Sequence, residues 1–251
     1  MAKSIFGIST SSNQLPRESI KEVATRTVNL LRVLSEKDSI FKNVVFIGKD
    51  DNDRFNLDLS SIENTSQELA ELILKYAKGS ISSYDKENRP TVNFSRDYGF
   101  SNVYQVYAED KKILSVFTNF GGSQGGGIGI VNIHKEVQFT FDWYFDVLKL
   151  LIEETQAFFG TVSINNTAFI DMYTPLKVKY PLGWINYFSK KCDVKIPDDI
   201  EAMEYEQTDK GKYLILTRDD FTENKELFFS HRERLITVMA EIKRRVPEYG
   251  K

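Results

Sequence analysis

The sequence has one cysteine, two histidines and no long apolar run. A lone Cys192 excludes a disulfide within the chain and is typical of a reducing compartment. The opening segment, "MAKSIFGISTSSNQ", lacks an apolar stretch of signal-peptide length, and the apolar runs elsewhere are too short to span a bilayer. We therefore expect a cytoplasmic protein that has no membrane partner.

The chain also lacks an excess of positive charge, because 33 Lys and Arg residues are set against 36 Asp and Glu residues. Broad binding to nucleic acid needs clustered Lys and Arg, so we expect no nucleic-acid partner. The hydrophobic share of 41% is ordinary for a globular chain with a large core. Repeats, low-complexity linkers and clear boundaries are missing too, which predicts a single domain over residues 1–251.

Helical periodicity occurs in several segments. Ile20, Val23, Thr27 and the leucines that follow predict a helix over 16–36, with Pro16 in its first turn. Thr65 and Glu68 have the spacing of a capping box ahead of a second helix. Further helices are predicted over 141–160 and from about 222 to 246. We expect both tryptophans, Trp143 and Trp184, to be mostly buried.

Short segments rich in β-branched and aromatic residues predict strands. They cover 4–9, 43–48, four segments between 91 and 135, 180–188, and a hairpin over 201–218 that turns at Asp209 to Gly211. Strands grouped in the middle with helices on either side predict an α+β fold with a mixed or antiparallel central sheet flanked by helices.

The glycine-rich segment "NFGGSQGGGIGIVNIH" (119–134) resembles a phosphate-binding loop only in composition. A P-loop continues into Lys-Ser or Lys-Thr and then a helix, whereas this run continues into an alternating β-branched strand. The segment therefore predicts a hairpin loop or a bulged edge strand, and we expect no nucleotide and no other cofactor. Because glycine lets a backbone approach another surface closely, Gly122 and Gly125 are also candidates for a contact loop.

Residues that could carry catalysis are few. Cys192 follows two lysines, which would lower its pKa if it were exposed, and His231 lies on the apolar stripe of the last helix. Both positions are more typical of buried structural residues, and the spacing of Cys, His and acids indicates no metal site. A small hydrolase that uses Cys192 or His231 stays an alternative.

Acidic residues concentrate between Asp193 and Asp209, where seven acids face the single Lys195. One interpretation is a solvated face, and the other is a patch that docks on a basic partner. Glu204 and Glu206 alternate with Met203 and Tyr205, so the two acids would share one face of a strand.

The order of motifs resembles a known family. An Arg-Glu-Ser helix start at Arg17, a strand that closes on Gly48, an Asp-Trp pair at Asp142 and the Gly-Trp-x-x-Tyr step at 183–187 follow one another along the chain. In these features the sequence resembles the immunity protein 52 family of bacterial polymorphic-toxin systems.

The resemblance implies a cytoplasmic antitoxin rather than an enzyme. Such a protein binds a cognate toxin encoded by an adjacent gene, typically a nuclease domain of restriction-endonuclease type, often delivered by type VI secretion. A regulatory scaffold module is a further alternative. The residues that we expect to contact the toxin are Asp198, Asp199, Glu201, Glu204, Glu206, Asp50, Asp51, Asp53, Gly122 and Gly125.

Overall fold

The computed structural model describes residues 5–12, 17–50, 52–77, 99–122, 126–134, 137, 139–165, 176–201, 203–220 and 225–250. The chain divides into two compact units, which we call the central unit (Ser11–His134) and the terminal unit (Met1–Thr10 with Lys135–Lys251). Four α-helices and ten strands have described bounds, and the strand pairs whose register is resolved are antiparallel. The predicted α+β class is confirmed, whereas the single domain over 1–251 stays a prediction.

Five strands of the central unit lie in the order β3-β2-β4-β5-β6. Their bounds are β2 Val44–Ile47, β3 Arg54–Asn56, β4 Gly99–Ala108, β5 Lys111–Gly121 and β6 Gly127–Asn132. Helices α1 (Ile20–Lys37) and α2 (Ile62–Ala77) pack on each other and on this sheet, and a 3-10 helix (Ser39–Lys42) follows α1. The buried stripe of α1 runs from Ile20 to Leu34 with the predicted spacing.

The starts of both helices differ from the prediction. Helix α1 begins after Ser19, whose hydroxyl accepts from the Glu22 backbone N–H at 3.3 Å while the Glu22 carboxylate accepts from the Ser19 N–H at 2.6 Å. This reciprocal capping box fixes the start four residues after Pro16. Thr65 lies inside α2 instead of capping it, and its hydroxyl donates to the Asp58 carbonyl at 2.5 Å.

The glycine-rich segment is a hairpin connection, which is one of the two arrangements that the sequence predicts. It joins β5 to β6, and Asn119 and Gly127 form the last strand pair before the connection. Gly121 has a φ of +90°, which side chains disfavour, and a Cβ on Gly126 would lie 2.4 Å from the Asn119 carbonyl oxygen. Glycine is therefore required here by backbone conformation and close approach.

Five strands of the terminal unit lie in the order β1-β7-β8-β10-β9. Their bounds are β1 Ile5–Ser11, β7 Phe159–Asn165, β8 Ile185–Ser189, β9 Glu204–Gln207 and β10 Gly211–Ile215. The helices of this unit are α3 (Phe141–Thr155), α4 (Lys225–Arg245) and a 3-10 helix at Pro247–Gly250. The predicted hairpin of β9 and β10 is confirmed, but α3 ends earlier than predicted because Gln156 adopts a left-handed conformation.

Aromatic side chains pack on both faces of the terminal sheet. On one face Phe145 of α3 meets Tyr213 edge-on, with ring centroids 5.1 Å apart. On the other face Tyr180 packs against Phe159 and Phe188. Both faces of this sheet are therefore part of the core.

The two tryptophans differ in burial. Trp184 is fully buried, as predicted, and its indole N–H donates to the Thr217 carbonyl at 2.8 Å. Trp143 is only partly buried and stacks on Phe139 with ring centroids 3.8 Å apart. Position on α3 explains the difference, because Tyr144 and Phe145, which follow Trp143, take the core-facing side of the helix.

Candidate docking surface

The acidic segment, residues 193–209, runs from the loop after β8 into β9 and the turn that follows it. Strand β9 is the last strand in the sheet order and carries the sequence "EYEQ". Charged side chains are common on such edges, because they discourage unwanted strand pairing. Placement alone therefore fits both a solvated edge and a docking surface.

The loop acids are paired with cations from distant parts of the sequence. Asp193 pairs with Lys179, Asp198 with Lys212 at 2.5 Å, and Asp199 with Arg245 at 2.5 Å. The carboxylates nevertheless face solvent, since the Asp198 side chain is 84% exposed and the Asp199 side chain 74%. The hydrogen bond from Arg245 holds the pKa of Asp199 below its usual value.

The strand acids Glu204 and Glu206 lie on one face of β9, as predicted, and share Arg218. The guanidinium of Arg218 donates to Glu204 at 3.1 Å and to Glu206 at 3.3 Å, and Lys149 of α3 donates to Glu206 at 3.1 Å. Partial burial alone would raise the pKa of Glu206, but the hydrogen bonds from Lys149 and Arg218 outweigh it and lower the pKa. The Lys149 ammonium also lies 3.7 Å from the centre of the Phe145 ring, a cation–π contact.

These contacts change the electrostatic picture that the sequence suggests. Five of the seven acids in the segment are ion-paired, namely Asp193, Asp198, Asp199, Glu204 and Glu206. Glu201 and Asp209 are exposed and have no ion-pair partner among the described residues. Most carboxylates of this surface are therefore held in place and neutralised by an ion-pair partner. Only Glu201 and Asp209 carry a negative charge without such a partner among the described residues, so the segment is less negative than its sequence suggests.

A groove of about 260 Å³ beside the acidic segment was not foreseen. Lys190, Lys195 and Lys212 line it together with Asp198 and apolar residues. The ammonium groups of Lys195 and Lys212 donate to the backbone carbonyls of Lys190 and Ile196. The lysines at 190–195 lie together in the loop after β8, whereas Lys212 comes from β10, so the groove is assembled only by the fold.

The other predicted contact residues belong to the central unit. Asp50 and Asp53 lie in the connection between β2 and β3, where Asp50 accepts from the Asn52 N–H at 2.8 Å and Asp53 from the Lys49 N–H at 3.3 Å. Both carboxylates therefore shape their own turn. Gly122 is buried next to the end of β5. Asp51 and Gly125 lie outside the described residues.

The residues of the hydrolase alternative lie in surroundings that do not activate them. Cys192 is 1% exposed, and burial raises the pKa of its thiol. Its neighbour Asp193 accepts hydrogen bonds from Lys179 and from the Tyr180 hydroxyl, the latter at 2.7 Å. His231 is partly buried on α4, and burial followed by the charge of Arg234 lowers its pKa.

Two further findings concern the described residues alone. No three of their Cys, His, Asp and Glu side chains come together as a possible metal site. Among their helices, none combines the length and the apolar character needed to cross a membrane.

Comparisons with known proteins leave the family open. No family model matches the chain, and no curated protein matches it in sequence. Among solved structures, a Pseudomonas aeruginosa T6SS protein is similar at 8% identity and a TM-score of 0.42, over 96% of this chain and 86% of the other. A likeness this weak assigns neither a family nor a function.

Proposed function

We propose that the chain is an immunity protein that binds a cognate toxin, encoded by an adjacent gene, and blocks it without chemical change. The observation that carries the proposal is the acidic segment, whose carboxylates are exposed and yet held in place by Lys212, Arg245 and Arg218. Side chains fixed before binding lose less conformational entropy in a complex. A carboxylate with one internal partner also keeps lone pairs for a second donor.

The proposed partner is a nuclease domain. A nuclease presents Lys and Arg to the phosphates of its substrate, and fixed carboxylates can accept hydrogen bonds from those groups. The resemblance to the immunity protein 52 family points to the same class of toxin. Membership of that family is part of the proposal.

The ion pairs within the segment refine how binding would proceed. Long-range attraction depends on unpaired charge, which in this segment is concentrated at Glu201 and Asp209. Short-range recognition depends on the paired carboxylates. We therefore propose a modest electrostatic gain in association rate and a larger contribution from directed hydrogen bonds.

A charge-reversal variant tests the surface. Lysine is placed at Asp198, Asp199, Glu201 and Glu204, and the complex with the product of the adjacent gene is followed by association kinetics across a salt series. We expect slower association and faster dissociation than in the wild type, with the rate difference shrinking as salt screens charges beyond about 8–10 Å. Lysine at Glu63, Glu68, Glu71 and Glu109 is the matched control, since these residues are exposed and lie in the central unit.

If the charge-reversal variant associates with the toxin and dissociates from it at wild-type rates, the docking surface lies elsewhere. Failure of the wild-type chain to bind or protect against that gene product would reject the immunity function itself. The Cys192→Ala variant distinguishes an immunity protein from a hydrolase that uses this thiol. We expect the variant to neutralise the toxin as well as the wild type does, whereas such a hydrolase would lose its activity.

A further inference from the structure

The groove beside the acidic segment carries more positive than negative charge. Three lysines line it, namely Lys190, Lys195 and Lys212, against the one carboxylate of Asp198. Several other lining residues belong to the acidic segment itself. A locally basic pocket, which we call the lysine groove, therefore lies within the proposed docking surface.

The lysine groove has an apolar lining beneath its charged groups. Phe188, Val194 and Ile196 form this lining and are at most 4% exposed. Charges that meet beside an apolar wall attract more strongly, because the local dielectric is lower than that of water. Pockets for drug-sized ligands measure about 300–1,000 Å³. The groove, at about 260 Å³, is of a size that suits one inserted side chain.

Two of the lysines have ammonium groups that the fold already holds in place. The Lys195 ammonium donates to the Lys190 carbonyl. The Lys212 ammonium donates to the Ile196 carbonyl and to the Asp198 carboxylate. Because an ammonium has three donors, both groups keep donors for a further acceptor. A donor that is fixed before binding also loses less conformational entropy when it binds.

Lys195 and Lys212 differ in how their charges are balanced. Lys212 is paired with Asp198, which shows that a carboxylate fits beside the cations of the groove. Lys195 has no ion-pair partner among the described residues, so its charge is unopposed. The Ser189 hydroxyl, which also lines the groove, accepts from the Lys191 N–H at 2.9 Å and keeps its own proton to donate. The groove therefore offers charge and donors for a second carboxylate.

We infer that the lysine groove receives an aspartate or glutamate side chain of the toxin. The carboxylate accepts hydrogen bonds from Lys195 and Lys212, and its methylene stem packs on the apolar lining. The inference rests on the proposed immunity function and adds a charge pattern to it. The toxin would carry an acidic side chain among the basic groups that meet the neighbouring carboxylates. Such alternation fixes the docking register, since a shifted pose brings like charges together.

Removal of one lysine charge separates this inference from docking on an acidic surface alone. Lys195→Met keeps an unbranched side chain and makes the segment more negative. On a purely acidic surface that faces a basic toxin, the variant would associate faster and bind more tightly. We expect weaker binding instead, with dissociation about tenfold faster, because the inserted carboxylate loses its partner. Lys21→Met is the matched control, since Lys21 is exposed and lies in the central unit.

Association and dissociation rates are measured with the product of the adjacent gene, and thermal unfolding checks that both variants are folded. Acetylation of lysines, read by mass spectrometry, gives a second measurement that needs no variant and so remains available if Lys195→Met does not fold. We expect Lys195 to react severalfold more slowly with acetic anhydride in the complex than in the free chain, and Lys21 to react equally in both.

Two failures can be told apart. If the wild type binds the toxin but Lys195→Met binds as tightly or more tightly, or if acetylation of Lys195 is unchanged in the complex, the inference is wrong and the immunity function stands. If the wild type does not bind the product of the adjacent gene, the immunity function is rejected and the inference with it.

Discussion

Strands β8 and β6 differ in how their faces are covered. In the terminal unit, neighbouring residues on β8 are both buried, because Tyr187 packs towards Tyr213 and Phe188 packs towards Tyr180 on the other side. In the central unit, burial along β6 alternates strictly between half-exposed and buried residues. A strand with two buried faces needs apolar residues throughout, whereas a strand with one needs them only at alternate positions.

Phe117 shows what this alternation permits. It lies on β5 opposite Val103 and Gly129 and is 43% exposed, while Phe120 on the same strand is fully buried. The two phenylalanines are three residues apart on one strand, so they occupy opposite faces. We therefore expect their contributions to stability to follow the face of the sheet, because the two side chains are chemically identical.

Truncation of aromatic residues gives the largest expected effect. We expect Phe188→Ala and Phe120→Ala to lower the free energy of unfolding by about 3–5 kcal/mol each, because both leave cavities in a core. Phe117→Ala should cost less than about 1 kcal/mol, since much of the ring is already in water. Denaturant titration measures the free energy of unfolding of all three variants, and equal losses for Phe117 and Phe120 would show that β5 is covered on both faces at these two positions.

Helix capping should affect the two units to a similar extent. Ser19 caps α1 in the central unit, and Thr140 caps α3 in the terminal unit by accepting from the Trp143 N–H at 3.2 Å. Each alanine variant should cost about 0.5–2 kcal/mol, with the larger loss for Ser19 because its capping box is reciprocal. Thermal unfolding checks the order, and a larger loss at Thr140 would contradict it.

Acid should weaken the terminal unit through its ion pairs. The pKa values of Asp193, Asp199 and Glu206 are lowered in the folded state, chiefly by their hydrogen bonds to cations. Groups with a lowered folded pKa contribute stability that is complete above the unfolded pKa, near 4, and is lost as pH falls through the folded value. Hydrogen exchange at decreasing pH should therefore show β9 and β10 opening before β4 and β5.

The opposite order of opening would mean that these exposed pairs contribute little to stability. Arg245→Gln is a useful control, because it removes the partner of Asp199 and should bring the pKa of that carboxyl back towards its usual value. The acid sensitivity of this variant should then be reduced.

The smallest expected effect distinguishes paired from unpaired acids within the proposed docking surface. Glu201→Gln should slow association with the toxin by about twofold to threefold and flatten its salt dependence, because it removes an unopposed charge. Asp198→Asn should change the association rate less and the dissociation rate more, since Lys212 already balances its charge. If the association rates of the two variants depend on salt in the same way, Glu201 and Asp198 do not differ in their roles, and the proposed division between long-range attraction and short-range contact is wrong.

Much of the local structure was accessible from the sequence. The glycine run followed by an alternating strand predicted a hairpin loop or a bulged edge, and the hairpin is found. The residues at 209–211 predicted a turn, and the alternation at 203–206 placed Glu204 and Glu206 on one face. These features depend on neighbours within a few residues, so periodicity and turn chemistry suffice to predict them.

Boundaries were less predictable where two local signals competed. Pro16 fits a first helical turn, but the reciprocal bonds of Ser19 and Glu22 decide the start of α1. Thr65 and Glu68 have the spacing of a capping box, yet Thr65 bonds to Asp58 from inside α2. A spacing rule identifies possible caps, and only the path of the preceding chain selects among them.

Local patterns along the chain were enough to predict the types of element, the turns and the concentration of acids at 193–209. What those acids face depends on the folded chain, because their cations come from positions 149, 179, 212, 218 and 245. The fold also determines that Cys192 is buried with a raised pKa and that Phe117 is exposed while Phe120 is not. The physical reason is that charge pairing and burial depend on distances through space, whereas a linear pattern records distances along the chain.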